Sequence, residues 1–522
     1  MHRGGRNRWV LAPVRGTVVW GDSLLSTPGG RSRVPARAMR TLRSVAVLVA
    51  MLAVAAALLA TGSGTAGAAA PPSGDWLTFD YNAQRSGVGP ADTGITPGNL
   101  HSLQRTIVNV PGTVDSAALE LHAVTAAGRV QDVLIMTSTY GRTFALNAAS
   151  GRLLWEFTPP GVQQLFGTGQ VTTATPVADP DAQYVYTPSP NGYVYKLSVA
   201  SGRQVWATRV TYDPTREKLD GSLNFANGRL IVVTGGYYGD IPVYQGHIMT
   251  IDPQTGRILH LWNTLCSNVR RLENPPNRCP QSDAGIWGRP GSVVEPDGDI
   301  LIATGNADFN GHTDWGDSVL ELSPALRLLH NWTPPDQQQL NSSDTDLGST
   351  EPALLPGSRL AVMGGKSGIL NLLNLNRLDG GRGPAGPRTG GSLQQLGAPG
   401  PTDVYSQPAV WRFGGRDYVY VADANGTNAY TFTGGRLHLA WQSTQAGTSP
   451  VIAGDLLYVY NLSSGVLNVF NPLTGHIDDA LQAAPGHWNS PIVVGGRIVL
   501  PVGNYHSQSN TGQVYIYHLP GL

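Results

Sequence analysis

Short apolar runs alternate with glycine-marked turns along most of this chain, and the alternation recurs as a unit. The unit is an apolar strand, a glycine, a second apolar strand, a turn closing on glycine, and then a tryptophan. It is clearest over residues 134–155, with Gly141, Leu146-Asn147, Gly151 and Trp155. Gly192, Leu197-Ser198, Gly202 and Trp206 repeat it, and so do Gly246, Ile251-Asp252, Gly256 and Trp262. Weaker copies cover 300–332, 360–374, 418–441, 456–475 and 497–518. A polar-Pro-apolar step announces most copies, as in Thr175-Pro176-Val177, Glu351-Pro352-Ala353, Gln407-Pro408-Ala409, Ser449-Pro450-Val451 and Ser490-Pro491-Ile492. Ser116, Ser222 and Pro290 mark the weaker starts.

A period of roughly 50 residues built from short strands and turns is the signature of a propeller blade of four antiparallel strands. The eight copies predict an all-β, eight-bladed β-propeller. The last copy ends without an outer tryptophan strand. The alternating segment Gln104–Val110 has no earlier copy of its own and is expected to supply that edge, closing the ring and removing an exposed strand. Trp155, Trp206, Trp262, Trp332 and Trp441 are expected to pack between blades, with sugar binding as the lesser alternative. The Gly-, Pro- and Arg-rich stretch 379–401 reads as an inserted surface loop.

Charge adds an exclusion. Lys and Arg (35) balance Asp and Glu (35), with no basic stripe, so nucleic acid and acidic membrane surfaces are poor partners. Arg40 and Arg43 precede an apolar run over 45–60 and an alanine-rich exit at Ala66, Ala68, Ala69 and Ala70. Residues 39–70 therefore read as a secretory signal peptide, with a membrane anchor as the alternative. Residues 1–38 are an extension or a mis-assigned start, with Met39 as the candidate initiator, and 71–522 form one exported domain with no lasting membrane span. Cys266 and Cys279 are the only cysteines. In an exported chain they are expected to pair with each other, and no His lies between them to suggest half of a metal site.

The inner strands of a propeller begin at one mouth of its channel. Residues just before each step should converge there: Thr172, Thr173, Asp220, Trp287, Asp344, Asp346, Tyr405, Thr448, His487 and Trp488. Carboxylates and aromatic rings on one axis make a binding pocket, although polar channel residues also serve simply to hold water. His312, His487 and His506 have no paired spacing that would suggest zinc.

From about Asp75 onward the repeats resemble those of the quinoprotein alcohol dehydrogenase family. Ile286-Trp287-Gly288 resembles the family segment whose Trp underlies pyrroloquinoline quinone. Thr304-Gly305-Asn306 resembles the segment whose Asn ligates calcium. Ser343-Asp344-Thr345-Asp346 resembles the family's Trp-Asp-Tyr-Asp, whose first Asp is the catalytic base. Gly365-Lys366-Ser367-Gly368 resembles the segment whose cation contacts the quinone oxygens. The resemblance thus implies Asp344 as base and Trp287 and Lys366 on the cofactor. It implies Asn306, Asp344 and, by position, Asp240 on calcium. These types suit the chemistry: a carboxylate accepts an alcohol proton, a fixed cation stabilises charge on the acceptor, and calcium prefers oxygen ligands.

The sequence also departs from the family. Its adjacent cysteine pair would fall near Gln163-Gln164, and the Arg that follows that pair is absent, with Gln170 and Thr172 nearby. Asp308 is a substitute calcium ligand or a turn former. Two functional classes follow. One is a secreted dehydrogenase of an alcohol or sugar, dependent on quinone and calcium, that passes electrons to a separate acceptor, because the chain lacks Cys-x-x-Cys-His. The other is a non-catalytic scaffold that binds a cell-envelope or extracellular partner.

Overall fold

The computed structural model describes residues 74–274, 277–378, 389–504 and 508–522. The expected signal peptide and His506 lie outside these residues. Eight antiparallel sheets follow one another along the chain. Blade 1 is built from Leu119–Ala126, Arg129–Thr137, Thr143–Asn147 and Leu153–Phe157, from the inside outward. Blades 2 to 7 begin with inner strands at Val177–Ala178, Asn224–Ala226, Val293–Val294, Ala353–Leu354, Ala409–Phe413 and Val451–Ala453. Blade 8 begins at Ile492–Val494 and continues through Arg497–Val502 and Gly512–His518. Its outer strand is Gln104–Val110, paired antiparallel with Gly512–His518 from Gln104 opposite His518 to Val110 opposite Gly512. The ring closes as the pattern predicts.

Two details differ from the expectation. Blade 3 carries a fifth short strand, Glu217–Lys218, which pairs beyond the inner strand and carries its residues toward the channel mouth. The stretch 379–401 is not wholly a loop: Gln394–Gly397 is the outer strand of blade 5. Glycine and proline around a half-exposed four-residue strand hide its alternation.

The Trp–Gly repeat has a packing cause. The Trp155 ring of blade 1 lies on Gly202 of blade 2, where a Cβ would stand 2.5 Å from the indole. Its Nε1–H donates to the Val199 carbonyl oxygen at 2.8 Å. Trp206 and Trp441 meet the next blade in the same way, donating to the carbonyls of Pro253 and Pro472. At the closure Val108 takes the tryptophan's place, since a Cβ on Gly151 would meet its side chain at 2.4 Å. The Trp-to-Gly contact therefore links consecutive blades, and the chain closes the circle with a smaller residue.

Before the closing strand, the chain runs around the axis as a belt. The Trp76 N–H donates to the Glu120 carbonyl in blade 1, and the Leu77 carbonyl accepts from the Ala178 N–H in blade 2. Further on, the carbonyls of Ala83, Ser86, Gly87 and Thr93 accept from Val294, Val410, Ile452 and Gly496, in blades 4, 6, 7 and 8. Arg85 is fully buried at the centre and donates to Thr78 Oγ1 (2.6 Å) and to the carbonyls of Phe79 (2.7 Å) and Leu223 (2.9 Å). Burial draws its guanidinium down to about 9, against the pull of Asp80 and Glu351. The belt seals the end of the channel where the inner strands finish, leaving the end where they begin for the site.

Candidate functional site

At that open end lies a cavity of about 520 Å³. Thr173, Asp220, Trp287, Asp344, Asp346, Tyr405, His487 and Trp488 line it, as the convergence at the channel mouth predicts. Thr172 and Thr448 stand behind the wall, with hydroxyls donating to the carbonyls of Leu219 and Asn489. Lys366 and Asp240 also line the cavity.

Trp287 is wedged against the start of blade 4. A Cβ on Gly305 would stand 3.0 Å from both its Nε1 and Asp346 Oδ1, so a larger residue there would press on both indole and carboxylate. Lys366 Nζ lies 5.4 Å from a Trp287 ring centroid. The same ammonium is 2.6 Å from Asp346 Oδ2 and 3.0 Å from Asp344 Oδ1. Burial works to lower Lys366, but the two carboxylates overcome it and hold the ammonium above its ordinary value. Asp346 is only 5% exposed in its side chain, whereas Asp344 is 66% exposed at the rim. Burial pushes Asp346 up, and Lys366 and the Asn306 N–H oppose that.

Asn306 is joined to this group through its backbone, the N–H donating to Asp346 Oδ1 at 2.6 Å. Asp240 sits on the facing loop of blade 3, where Oδ1 accepts from the Tyr244 hydroxyl at 2.6 Å. Asp283 stands close by, pushed up to about 6 by burial and then by Asp240, Asp346 and Asp344. Asp308 is exposed and accepts from Asn341 Nδ2 at 3.2 Å, away from the cavity lining. It behaves as a turn residue. Gln163 and Gln164 are likewise exposed outside the cavity. Among the described residues no ready-formed group of three or more His, Cys, Asp or Glu could hold a metal ion. A cation here would draw its oxygens from Asp240, on blade 3, and from Asp344 and Asp346, before blade 5; Asn306 is not on the lining and is joined to it through its backbone N–H.

Aromatic rings form an arc along one wall. Tyr405 lies 6.0 Å from Trp287 and 4.9 Å from Trp488, centroid to centroid, and His487 follows at 5.5 Å from Trp488. His487 Nδ1 is 2.5 Å from Asp115 Oδ2. Cys266 and Cys279 are disulfide-bonded, with Cα atoms 6.0 Å apart. Two residues before Cys279, Asn277 donates from Nδ2 to the Tyr244 carbonyl at 3.1 Å, so the bridged loop braces the residue that holds Asp240.

Sequence reasoning missed Lys218, Arg289, Tyr237, Tyr238 and Tyr244, all of which line the cavity. Arg289 follows Trp287 by two positions and was within reach of the convergence rule. The tyrosines belong to an irregular loop that carries no repeat signal.

A family model described as outer membrane protein assembly factor BamB matches residues 112–260 and again 145–306. Together these matches span 112–306, less than half of the chain. A polyvinylalcohol dehydrogenase of Sphingopyxis sp. (strain 113P3) is 26% identical over 219 residues, which are 39% of this chain and 32% of that protein. A second, from Pseudomonas sp., is 23% identical over 46% of this chain and 41% of its own length. The match thus spans less than half of each relative. Among solved structures, quinohemoprotein alcohol dehydrogenase from Comamonas testosteroni superposes with a TM-score of 0.64 at 13% identity, covering 87% of this chain and 82% of that one. A europium-containing methanol dehydrogenase gives 0.62 at 14% identity over 85% and 98%. At such identities the likeness is one of fold. Among the described residues no helix is long and apolar enough to cross a membrane.

Proposed function

We propose that this protein is an exported, quinone-dependent dehydrogenase that oxidises an alcohol or sugar hydroxyl in the cavity at the channel mouth. The observation that carries the reading is the meeting of Trp287, Lys366, Asp344 and Asp346 on one cavity, with Asn306 bonded to its inner wall. The named activity of the polyvinylalcohol dehydrogenases supports an alcohol as the substrate class. The disulfide supports an oxidising compartment.

The residues fit the group that the repeat implies. The cavity is within the size range of small-ligand sites, and the Trp287 indole offers a flat apolar platform for a fused ring. Asp240, Asp344 and Asp346 line the cavity with the hard oxygen donors that calcium prefers, and Asn306 stands behind Asp346. Bound pyrroloquinoline quinone would supply the two-electron acceptor that protein side chains lack. Asp344, exposed at the rim, is the carboxylate a substrate hydroxyl reaches first, and its role is to take the hydroxyl proton. Lys366 presents a fixed cation where negative charge develops. Asp346 keeps that cation in place from the buried side. A separate acceptor protein or small molecule would have to take up the electrons.

Calorimetric titration of the purified protein with pyrroloquinoline quinone, with and without calcium, tests this reading. Saturable binding that calcium strengthens, together with alcohol-dependent reduction of an added dye, is the expected result. Absence of quinone binding under both conditions would overturn it. That outcome would favour the second reading, a scaffold for an envelope protein, which the description of the matched family model supports.

A further inference from the structure

The cavity has a second cationic pole that the dehydrogenase reading leaves unused. Arg289 leaves blade 4 and crosses the channel axis to the opposite side of the ring. It donates to the carbonyls of Thr173 (3.2 Å), Asp115 (2.5 Å) and Trp488 (3.1 Å), which precede the inner strands of blades 2, 1 and 8. All three acceptors are neutral, and among the described residues no carboxylate is paired with this guanidinium. Of the three carboxylates whose charge reaches it, Asp80 lies buried in the belt beside Arg85 and the other two are engaged. Asp115 faces His487, and Asp220 takes Lys218 Nζ at 2.6 Å and the Thr173 hydroxyl at 2.6 Å. Arg289 is 8% exposed and lines the cavity. A guanidinium has five N–H donors, and the three bonds to carbonyls leave capacity for another acceptor. Burying such a charge without a direct counter-ion is costly, and a bound anion would relieve the cost.

We propose that Arg289 is the docking point for a carboxylate of the ligand, forming an anion subsite on the channel axis across the cavity from Lys366. The proposal rests on the quinone reading and deepens it: the ligand class is a planar aromatic polycarboxylate, held by a cation at each end. Arg289, from blade 4, then does the work of the arginine whose absence near Gln170 marks the departure from the family. Its guanidinium fork suits a carboxylate better than a lysine point charge does.

The test is tryptophan-fluorescence titration of the full protein at fixed calcium, using pyrroloquinoline quinone, its trimethyl ester and benzene-1,2,4-tricarboxylate. Wild type should prefer the triacid over the triester by about tenfold or more, and Arg289→Met should lose that preference while circular dichroism stays unchanged. Equal binding of acid and ester by wild type, or an unchanged preference in the variant, overturns the proposal. If Arg289→Met does not fold, Arg289→Lys decides: a reduced preference supports the subsite and an undiminished one overturns it. If wild type binds neither quinone form, the dehydrogenase reading fails by itself. The subsite then stands if benzene-1,2,4-tricarboxylate binds and the Arg289 variant releases it, and falls if that probe does not bind.

Discussion

Asp346 and Lys366 are joined at 2.6 Å below the rim of the cavity, the carboxylate almost wholly buried and the ammonium shared with the exposed Asp344. The two carboxylates therefore differ in what they contribute. Lys366→Met would strand Asp346 as a buried charge, and chemical denaturation should record a loss of about 3 kcal/mol. Asp344→Asn should cost less than ~1 kcal/mol, because an exposed pair contributes little. If Asp344 is the proton acceptor, the same variant should lower turnover at saturating quinone and calcium by about 10²–10⁴.

Glu120 gives a pH signature away from the cavity. It is buried between blades 1 and 8, where Oε1 accepts from Arg497 at 3.0 Å. Burial pushes it up to about 8; Arg497 opposes the rise, and Asp132 and Asp75 add to it. The folded state thus keeps a proton that the unfolded chain releases at its ordinary value near 4.5. Its contribution is complete below that value and disappears as pH rises toward 8. Thermal melts between pH 4.5 and 8 should show stability falling with pH, and Glu120→Gln should flatten the slope.

The ring closure is open to a direct trial. Removing Gln104–Val110 exposes the edge of Gly512–His518, and size-exclusion chromatography should record aggregation. Gly202→Ala tests the Trp contact within the ring. The new Cβ would meet the Trp155 indole at a backbone φ of +68°, so a loss of about 2 kcal/mol is expected.

The disulfide should act on the site as well as on stability. Replacing Cys266 and Cys279 by Ser should cost about 3 kcal/mol on the chain-entropy model. The released loop also frees Asn277 from the Tyr244 carbonyl, so calcium-dependent quinone binding should weaken more than it does for a surface substitution. Calorimetry on the double variant checks this.

The architecture could be read from the chain because the physics is local and repeated. Trp155, Trp206 and Trp441 each lie on a glycine one blade later, so the pair recurs at these junctions, and the closing Val108 has its glycine too. The strand Gln394–Gly397 escaped because it has no tryptophan and its four residues are half-exposed among glycine and proline. Convergence at the channel mouth followed from strand direction, which placed Trp287, Asp344 and Asp346 correctly on one cavity. It could not distinguish the exposure of Asp344 from the burial of Asp346, since both belong to one short segment. The Tyr237–Tyr244 side was illegible because an irregular loop has no period to betray which side chains turn inward.

The belt makes completion of the fold a late event. Thr93 finds the Gly496 N–H only when the eighth blade exists, although Trp76 is joined to the first blade at Glu120. The residues around Arg85 thus wait for partners hundreds of positions away, and pairings of such long range close slowly. A nascent chain interrupted after the seventh blade would lack both the strand that takes up Gln104–Val110 and the last anchor of the belt. Its two ends would be sticky together. Docking of the two loose segments near residues 93 and 104 therefore depends on the three strands of the eighth blade.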